Sequence, residues 1–227
     1  MCLIVAAWRV HPQFPLIVAA NRDEFHRRPA SPAAYWPDRP QILGGRDLEA
    51  NGTWMGASRR GRFAAVTNYR GAREPSAAES RGALVTRFLD GSTSSAAYIA
   101  DVDAKRAQYS GFNLLACDGS ELWWASNRDG TPRRLDAGYY ALGNLLLDSP
   151  EVLPIKERAR AIIEASPAVE NLFSLLAGAR IVNPQYGTRC STVLLASSDG
   201  IIRYAERSFS AEGAEGETLH FAFSAKP

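Results

Sequence analysis

Two short apolar runs near the start, Cys2–Trp8 and Leu16–Asn21, constrain this chain more than any other feature. Both are rich in Ile, Val and Ala, and a loop carrying Pro12 and Pro15 lies between them. Prolines between β-forming runs favour a turn, so the pair reads as a β-hairpin. Neither run alternates apolar with polar residues. A strand that is apolar on both sides must be covered on both sides. The second run then ends in Asn21-Arg22-Asp23-Glu24, a polar stretch at the end of a strand that reads as buried.

The same reasoning orders the rest of the chain. Arg27 to Gln41 is rich in Pro and Ala and reads as irregular. Thr53–Ser58 and Phe63–Asn68 predict a second hairpin around Arg59-Arg60-Gly61-Arg62, a basic tip expected in solvent. Ser80–Leu89 and Ser94–Gln108 read as helices with Ser80 and Ser94 as caps. Asn113–Cys117 and Glu121–Ser126 flank Asp118-Gly119, a hairpin signal. Tyr139–Leu142 is a further strand, and Glu151–Ala165 and Val169–Leu176 are two more helices. Thr192–Ala196 and Ile201–Arg207 flank Ser198-Asp199-Gly200 as another hairpin, and Leu219–Phe223 is the last strand. Strand groups alternating with helix pairs predict an α+β protein: a four-layer α-β-β-α sandwich of two mainly antiparallel sheets flanked by helices. A chain of 227 residues suits one domain over 1–227.

Composition removes several functions. The net charge is only +2, which gives no strong pull toward nucleic acid. No apolar run of the sequence approaches a membrane span, and no basic leader precedes the first run. Cys2, Cys117 and Cys190 have no paired spacing, which argues for a reducing, cytoplasmic setting rather than a disulfide framework. The sequence has no CxxC or HxxxH pattern and no glycine-rich phosphate loop, so neither a metal nor a cofactor is expected.

Cys2 carries the most specific chemistry. A small second residue commonly allows removal of the initiator methionine, which would leave the cysteine with a free α-amine. That amine has a pKa of about 8, so nucleophile and base would be one residue. With the hairpin centred between Pro12 and Gln13, Ile4 faces Asn21 and Cys2 faces Asp23. Opposed residues share a face, with Cβ atoms roughly 5 Å apart. Cys2, Asn21 and Asp23 are therefore expected on one face, and Arg22 and Glu24 on the other. Asp23 would orient the amine and bias the thiol toward thiolate.

The ordered stretches "MCLIVAAW", "ANRDE", "TWMGAS…FAAVTNYR", "GNLLLDSP" and "YGTRCSTVLL" resemble the NRDE-motif proteins, related to the transport-and-Golgi-organisation family of eukaryotes. That family is grouped with the N-terminal nucleophile (Ntn) hydrolases, whose α-β-β-α fold agrees with the element order above. A more distant resemblance is to Ntn amide hydrolases acting on penicillin V and conjugated bile salts. Those use an N-terminal cysteine, an early aspartate, two asparagines and a late arginine. The resemblance implies Cys2 as nucleophile, Asp23 as holder of the amine, Asn68 as an oxyanion donor, and Asn144 as a second donor or a residue that positions substrate. It implies Arg189 as the cation beside thiolate or substrate. Asn21 and Arg22 are the candidate substrate contacts. The expected activity is that of an Ntn-type cysteine amidohydrolase or acyltransferase on a small acyl-bearing substrate. The alternative is a non-catalytic protein of the same fold that handles haem, lipid or acyl-CoA, with the Cys2 thiolate available to haem iron.

Overall fold

The structure, a computed structural model, describes residues 2–71 and 78–225. In chain order its strands begin β1 (Leu3–Trp8), β2 (Leu16–Phe25), β3 (Ala30–Trp36), β4 (Arg39–Asp47), β5 (Met55–Ser58) and β6 (Phe63–Asn68). Helices α1 (Arg81–Asp90) and α2 (Ser95–Ala104) follow, then β7 (Phe112–Cys117), β8 (Leu122–Ser126), β9 (Arg133–Leu135) and β10 (Gly138–Leu142). Helices α3 (Leu153–Ala165) and α4 (Val169–Ala177) precede β11 (Tyr186–Ala196), β12 (Ile201–Phe209) and β13 (Glu215–Ser224). The fold is α+β, with two antiparallel sheets and two helix pairs. Contacts divide it into two compact units. One holds Met1–Arg28, Ala137–Gly143 and Leu147–Ser224, and the other holds Pro29–Asp136 with Asn144–Leu146.

The first unit is built on a six-stranded sheet, β10-β1-β2-β11-β12-β13. Its odd-numbered β1 and β2 residues Leu3, Val5, Ala7, Ile17 and Ala19 form one core with Val193 and Leu195 of β11. Leu172, Phe173, Leu175 and Leu176 of α4 and Ala159 and Ile163 of α3 close that core. The hairpin register differs from the expected one by a single residue. Leu3 pairs with Asn21, Val5 with Ala19 and Ala7 with Ile17. The cause is the loop. Arg9 adopts the left-handed φ of 52° and its N–H bonds the carbonyl of Pro15, so the turn centres on Pro12. With period-2 side chains, one residue of slip exchanges the faces. Asn21 and Asp23 therefore lie on the helix-covered face. Cys2, one residue before Leu3, continues the register opposite Arg22 on the other face.

The second unit is a seven-stranded sheet in sequence order, β3 to β9. Leu84, Val85, Phe88 and Leu89 make α1 amphipathic and pack it on Ile42, Ala64, Val66 and Leu114. The Ser80 and Ser94 hydroxyls accept from Gly82 N and Ala97 N, the cap bonds expected of them. The proline-rich stretch is not irregular. It forms β3 and the start of β4, because β3 is an edge strand and a missing N–H costs little there. Gly45 of β4 is needed by its neighbour, since a Cβ there would stand 2.2 Å from the Trp54 ring.

The basic tip is a second correction. Arg62 is buried, donates from Nε to Phe88 O at 2.8 Å and from Nη2 to Thr93 O at 2.6 Å, and stacks on the Phe88 ring. Arg60 reaches the carbonyls of Asp90 and Gly91, and Arg59 stacks on Tyr35. Carbonyls at a helix C-terminus lack intrahelical partners and carry partial negative charge, so cations settle there.

Candidate functional site

In the first unit, the β2 end gathers Cys2 and Asp23 through the backbone. The Cys2 thiol is half-buried and donates to the Asp23 carbonyl at 3.4 Å. The Tyr186 hydroxyl donates to the same oxygen at 3.3 Å. The Asp23 carboxylate itself points to the other face, where its Oδ1 accepts from Thr188 Oγ1 at 2.6 Å. Thr188 Oγ1 in turn accepts from the Ile181 N–H at 2.8 Å. Asn21 is buried beside it, with Nδ2 on Leu176 O of α4 at 3.0 Å and Oδ1 receiving Ser191 Oγ at 2.6 Å. Both ends of the Asn21 amide are thus engaged in tying β2 to β11 and α4.

The electrostatics reverse one expected role. Burial raises the Cys2 thiol above its ordinary pKa and the Asp23 charge raises it further, while the bond to the Asp23 backbone, the N-terminal charge and, least, the Arg22 charge pull it down. An ionised Asp23 opposes the thiolate instead of promoting it, as any like charge nearby must. The side-chain cation that favours the thiolate, after the N-terminal charge, is Arg22, a buried guanidinium 4.0 Å from Glu24.

Arg189 has a different environment. It is the extra residue where the β11–β2 register shifts between Thr188 and Cys190, and such a bulge re-aims a side chain. Its Nη1 donates to the carbonyls of Phe25, His26 and Arg28 at 3.1, 3.3 and 3.1 Å. Burial, and then the Arg22 charge, lower its pKa, but an arginine stays protonated. The guanidinium clasps the chain where β2 ends. Asn68 and Asn144 belong to the second unit and meet there. Asn144 Nδ2 donates to Asn68 O at 2.7 Å, and Arg70 N donates to Asn144 O at 2.6 Å. The Asn144 amide nitrogen is therefore engaged, and Asn68 itself is exposed at its strand end. The expected removal of Met1 falls outside the described residues.

Sequence reasoning missed Thr188 and Ser191, the hydroxyls that fix Asp23 and Asn21. Their signal is the polar alternation in "YGTRCST", which the bulge at Arg189 interrupts. It also missed the row on the opposite face, where Cys190 pairs with Arg22 and Thr192 pairs with Glu206. Cys190, Thr192 and Glu206 are all buried there.

Comparison with known proteins identifies the lineage. The profile of the family described as Transport and Golgi organisation 2 matches residues 1–184. The chain belongs to the Transport and Golgi organisation 2 family. Within it, the chain is 34% identical to the Transport and Golgi organization protein 2 homologs of Bos taurus and Homo sapiens, over 92% of this chain and 93% of theirs. The Mus musculus homolog is 31% identical over the same shares. Among solved structures, this family member resembles the Caenorhabditis elegans N-acylethanolamine-hydrolyzing acid amidase ortholog. The TM-score is 0.54 at 12% identity, over 86% of this chain and 92% of that one. It also resembles the mutant C2A conjugated bile acid hydrolase of Clostridium perfringens, with a TM-score of 0.57 at 9% identity over 99% and 98%. The likeness gives the family member the Ntn-hydrolase fold. No helix among the described residues is long and apolar enough to cross a membrane.

Charge-changing variants at the β2 end should separate the two arginines. Arg22→Gln is expected to slow alkylation of Cys2 by iodoacetamide at pH 7 by roughly three- to tenfold, and Asp23→Asn to speed it by a similar factor. Arg189→Gln should leave the rate within a factor of two or so, because its charge is held on backbone carbonyls. The other thiols are buried, so the modified peptide reports Cys2 alone. A rate that Arg22→Gln leaves unchanged would remove Arg22 from the site.

Proposed function

We propose that the chain is an Ntn-type cysteine hydrolase or acyltransferase that carries the acyl group of a small amide on Cys2. The observation that carries the reading is the half-buried Cys2 sulfur lodged against the β2 end, with Arg22 on its face and Asp23 bonded to it through the backbone. The names of the two structural neighbours, an acid amidase and a bile acid hydrolase, support amides as the substrate class.

The chemistry requires that Met1 be removed. The α-amine of Cys2 then takes the thiol proton, and the sulfur bonds to the acyl carbon. The C–N bond breaks, and the amine product leaves with that proton. Water, or a second amine, attacks the thioester and returns the proton to sulfur. Because the resting thiol is held neutral, transfer to the amine within the encounter complex matters more than a standing thiolate. Arg22 assists by stabilising the sulfur anion as it forms. The Asp23 carboxylate, turned to the opposite face, favours the ammonium form by its charge alone.

The test is intact-mass spectrometry of the purified chain, before and after incubation with N-acyl amides of graded chain length. The expected results are a mass lacking Met1, then an increment equal to the acyl group, mapped to Cys2 and absent in Cys2→Ala. Retention of Met1 with no adduct from any amide would overturn the proposal.

A further inference from the structure

On the helix-covered face of the first unit, away from Arg22, a cavity of about 100 Å³ opens between α4 and the β11–β13 strands. Phe173, Arg180, Ser191, Arg207, Phe209 and Glu215 line it. Two arginines in one small cavity are unusual enough to require an explanation, and their fixings supply it. Arg207 donates from Nε to Thr218 Oγ1 at 2.9 Å and from Nη2 to both oxygens of Glu170 at 3.1 and 3.2 Å. Its guanidinium lies 4.5 Å from the Phe173 ring centre. Arg180 donates from Nη2 to the Gly213 carbonyl and lies 3.9 Å over Phe209. Both forks are therefore held in place from behind and present their Nη1 groups to the cavity.

One carboxylate occupies that position. Glu215 sets Oε1 at 3.4 Å from Arg180 Nη1 and Oε2 at 3.5 Å from Arg207 Nη1. Charge-assisted bonds of good geometry are about 2.7–2.9 Å, so both contacts are loose. The arginine side chains are 16% and 18% exposed, whereas Glu215 is 55% exposed. The protein thus fills a two-arginine fork with an exposed, loosely bound acid from the first residue of a strand.

We propose that this cavity is a binding site for the carboxylate group of a small ligand, and that Glu215 is its resident substitute. Charge selects carboxylate among oxyanions. Arg180 and Arg207 against Glu170 leave one positive charge once Glu215 swings out, which a monoanion neutralises and a phosphate dianion overfills. Size agrees, since about 100 Å³ stays open beside Glu215 itself, roughly three waters' share of liquid volume, which leaves room for a charged end group to enter as Glu215 swings out. Glu215 is a weak competitor, because an exposed ion pair alters an equilibrium by no more than about fivefold. The site is independent of the Cys2 chemistry.

The full-length chain, labelled with ¹⁵N, is titrated with sodium acetate at constant ionic strength while the arginine Nε–H signals are followed by NMR. Saturable shifts are expected at Arg180 and Arg207, with affinity in Glu215→Gln two- to fivefold tighter than in the parent. Inorganic phosphate should bind more weakly than acetate, and chloride should give no saturable shift. Arg207→Gln and, separately, Arg180→Gln should abolish binding, the second variant guarding against misfolding of the first. The proposal is overturned if Glu215→Gln binds acetate no more tightly than the parent. Chloride reproducing the shifts, or phosphate binding the tighter, would overturn it equally.

Discussion

Raising the pH from 9 to 11 is expected to lower the stability of the fold steadily, mainly through Cys190 and Tyr204. Burial pushes the Cys190 thiol well above its ordinary value of 9.0, and the neighbouring Glu206 charge pushes it further. Burial and then Glu206 do the same to the Tyr204 phenol, whose ordinary value is 10.0. The unfolded chain releases both protons at those ordinary values. Above them the folded state binds more protons than the unfolded one, so stability declines as the pH rises. The slope reaches about 1.4 kcal/mol per pH unit for each group. The contribution is complete below pH 9 and is lost progressively toward the raised folded values. The thiol, with the lower ordinary value, contributes to the decline first and the phenol about one pH unit later. Urea denaturation at pH 8, 9, 10 and 11 measures this directly. The double variant Cys190→Ala with Tyr204→Phe should flatten most of the decline, leaving a residue from the half-buried Tyr98, which is also raised by desolvation. A double variant that weakens as steeply as the parent would show that the loss arises elsewhere.

The row containing Cys190 and Glu206 shows where reading the sequence succeeds and where it stops. Local signals were strong. The serine caps, the Asp118-Gly119 turn and the Leu84–Leu89 stripe each act within a few residues, and each appears in the fold where expected. The apolar doubling of β1 and β2 also required cover on both faces, and those strands are buried throughout their paired length. Register was a different matter. It depended on one residue, Arg9, adopting a left-handed backbone in a seven-residue loop, and nothing in the residue type announces that. Reversing the faces sent the Asp23 side chain toward Thr188 and set Arg22 on the Cys2 side. Candidate residues found by motif order were therefore named without their geometry. Arg189 shows this most clearly: a bulge, invisible in the sequence, turns it toward the β2 end to bind three carbonyls.

Arg62→Ala is expected to cost about 3–4 kcal/mol of stability, while Arg60→Ala, two residues away, costs less than about 1. Both belong to a run that composition alone reads as a solvated tip. They differ in what surrounds them. Arg62 is buried, and its bonds to Phe88 O and Thr93 O tie the start of β6 to the C-terminal end of α1. Each hydrogen bond from a charged group contributes about 1.5–3 kcal/mol, and the stack on Phe88 at 3.8 Å adds about 1 or more. The desolvation of the guanidinium, which also lowers its pKa, offsets part of that sum. Truncation further strands the buried Phe88 carbonyl. Arg60 makes longer contacts, 3.3 and 3.5 Å, from an exposed position where solvent replaces them readily. Arg62→Lys separates charge from geometry, because an ammonium has no planar fork and should satisfy one carbonyl at a time, recovering about half the loss. Urea midpoints of the three variants decide the matter. Equal costs for Arg62→Ala and Arg60→Ala would mean that the buried fork is not what holds the end of α1 to β6.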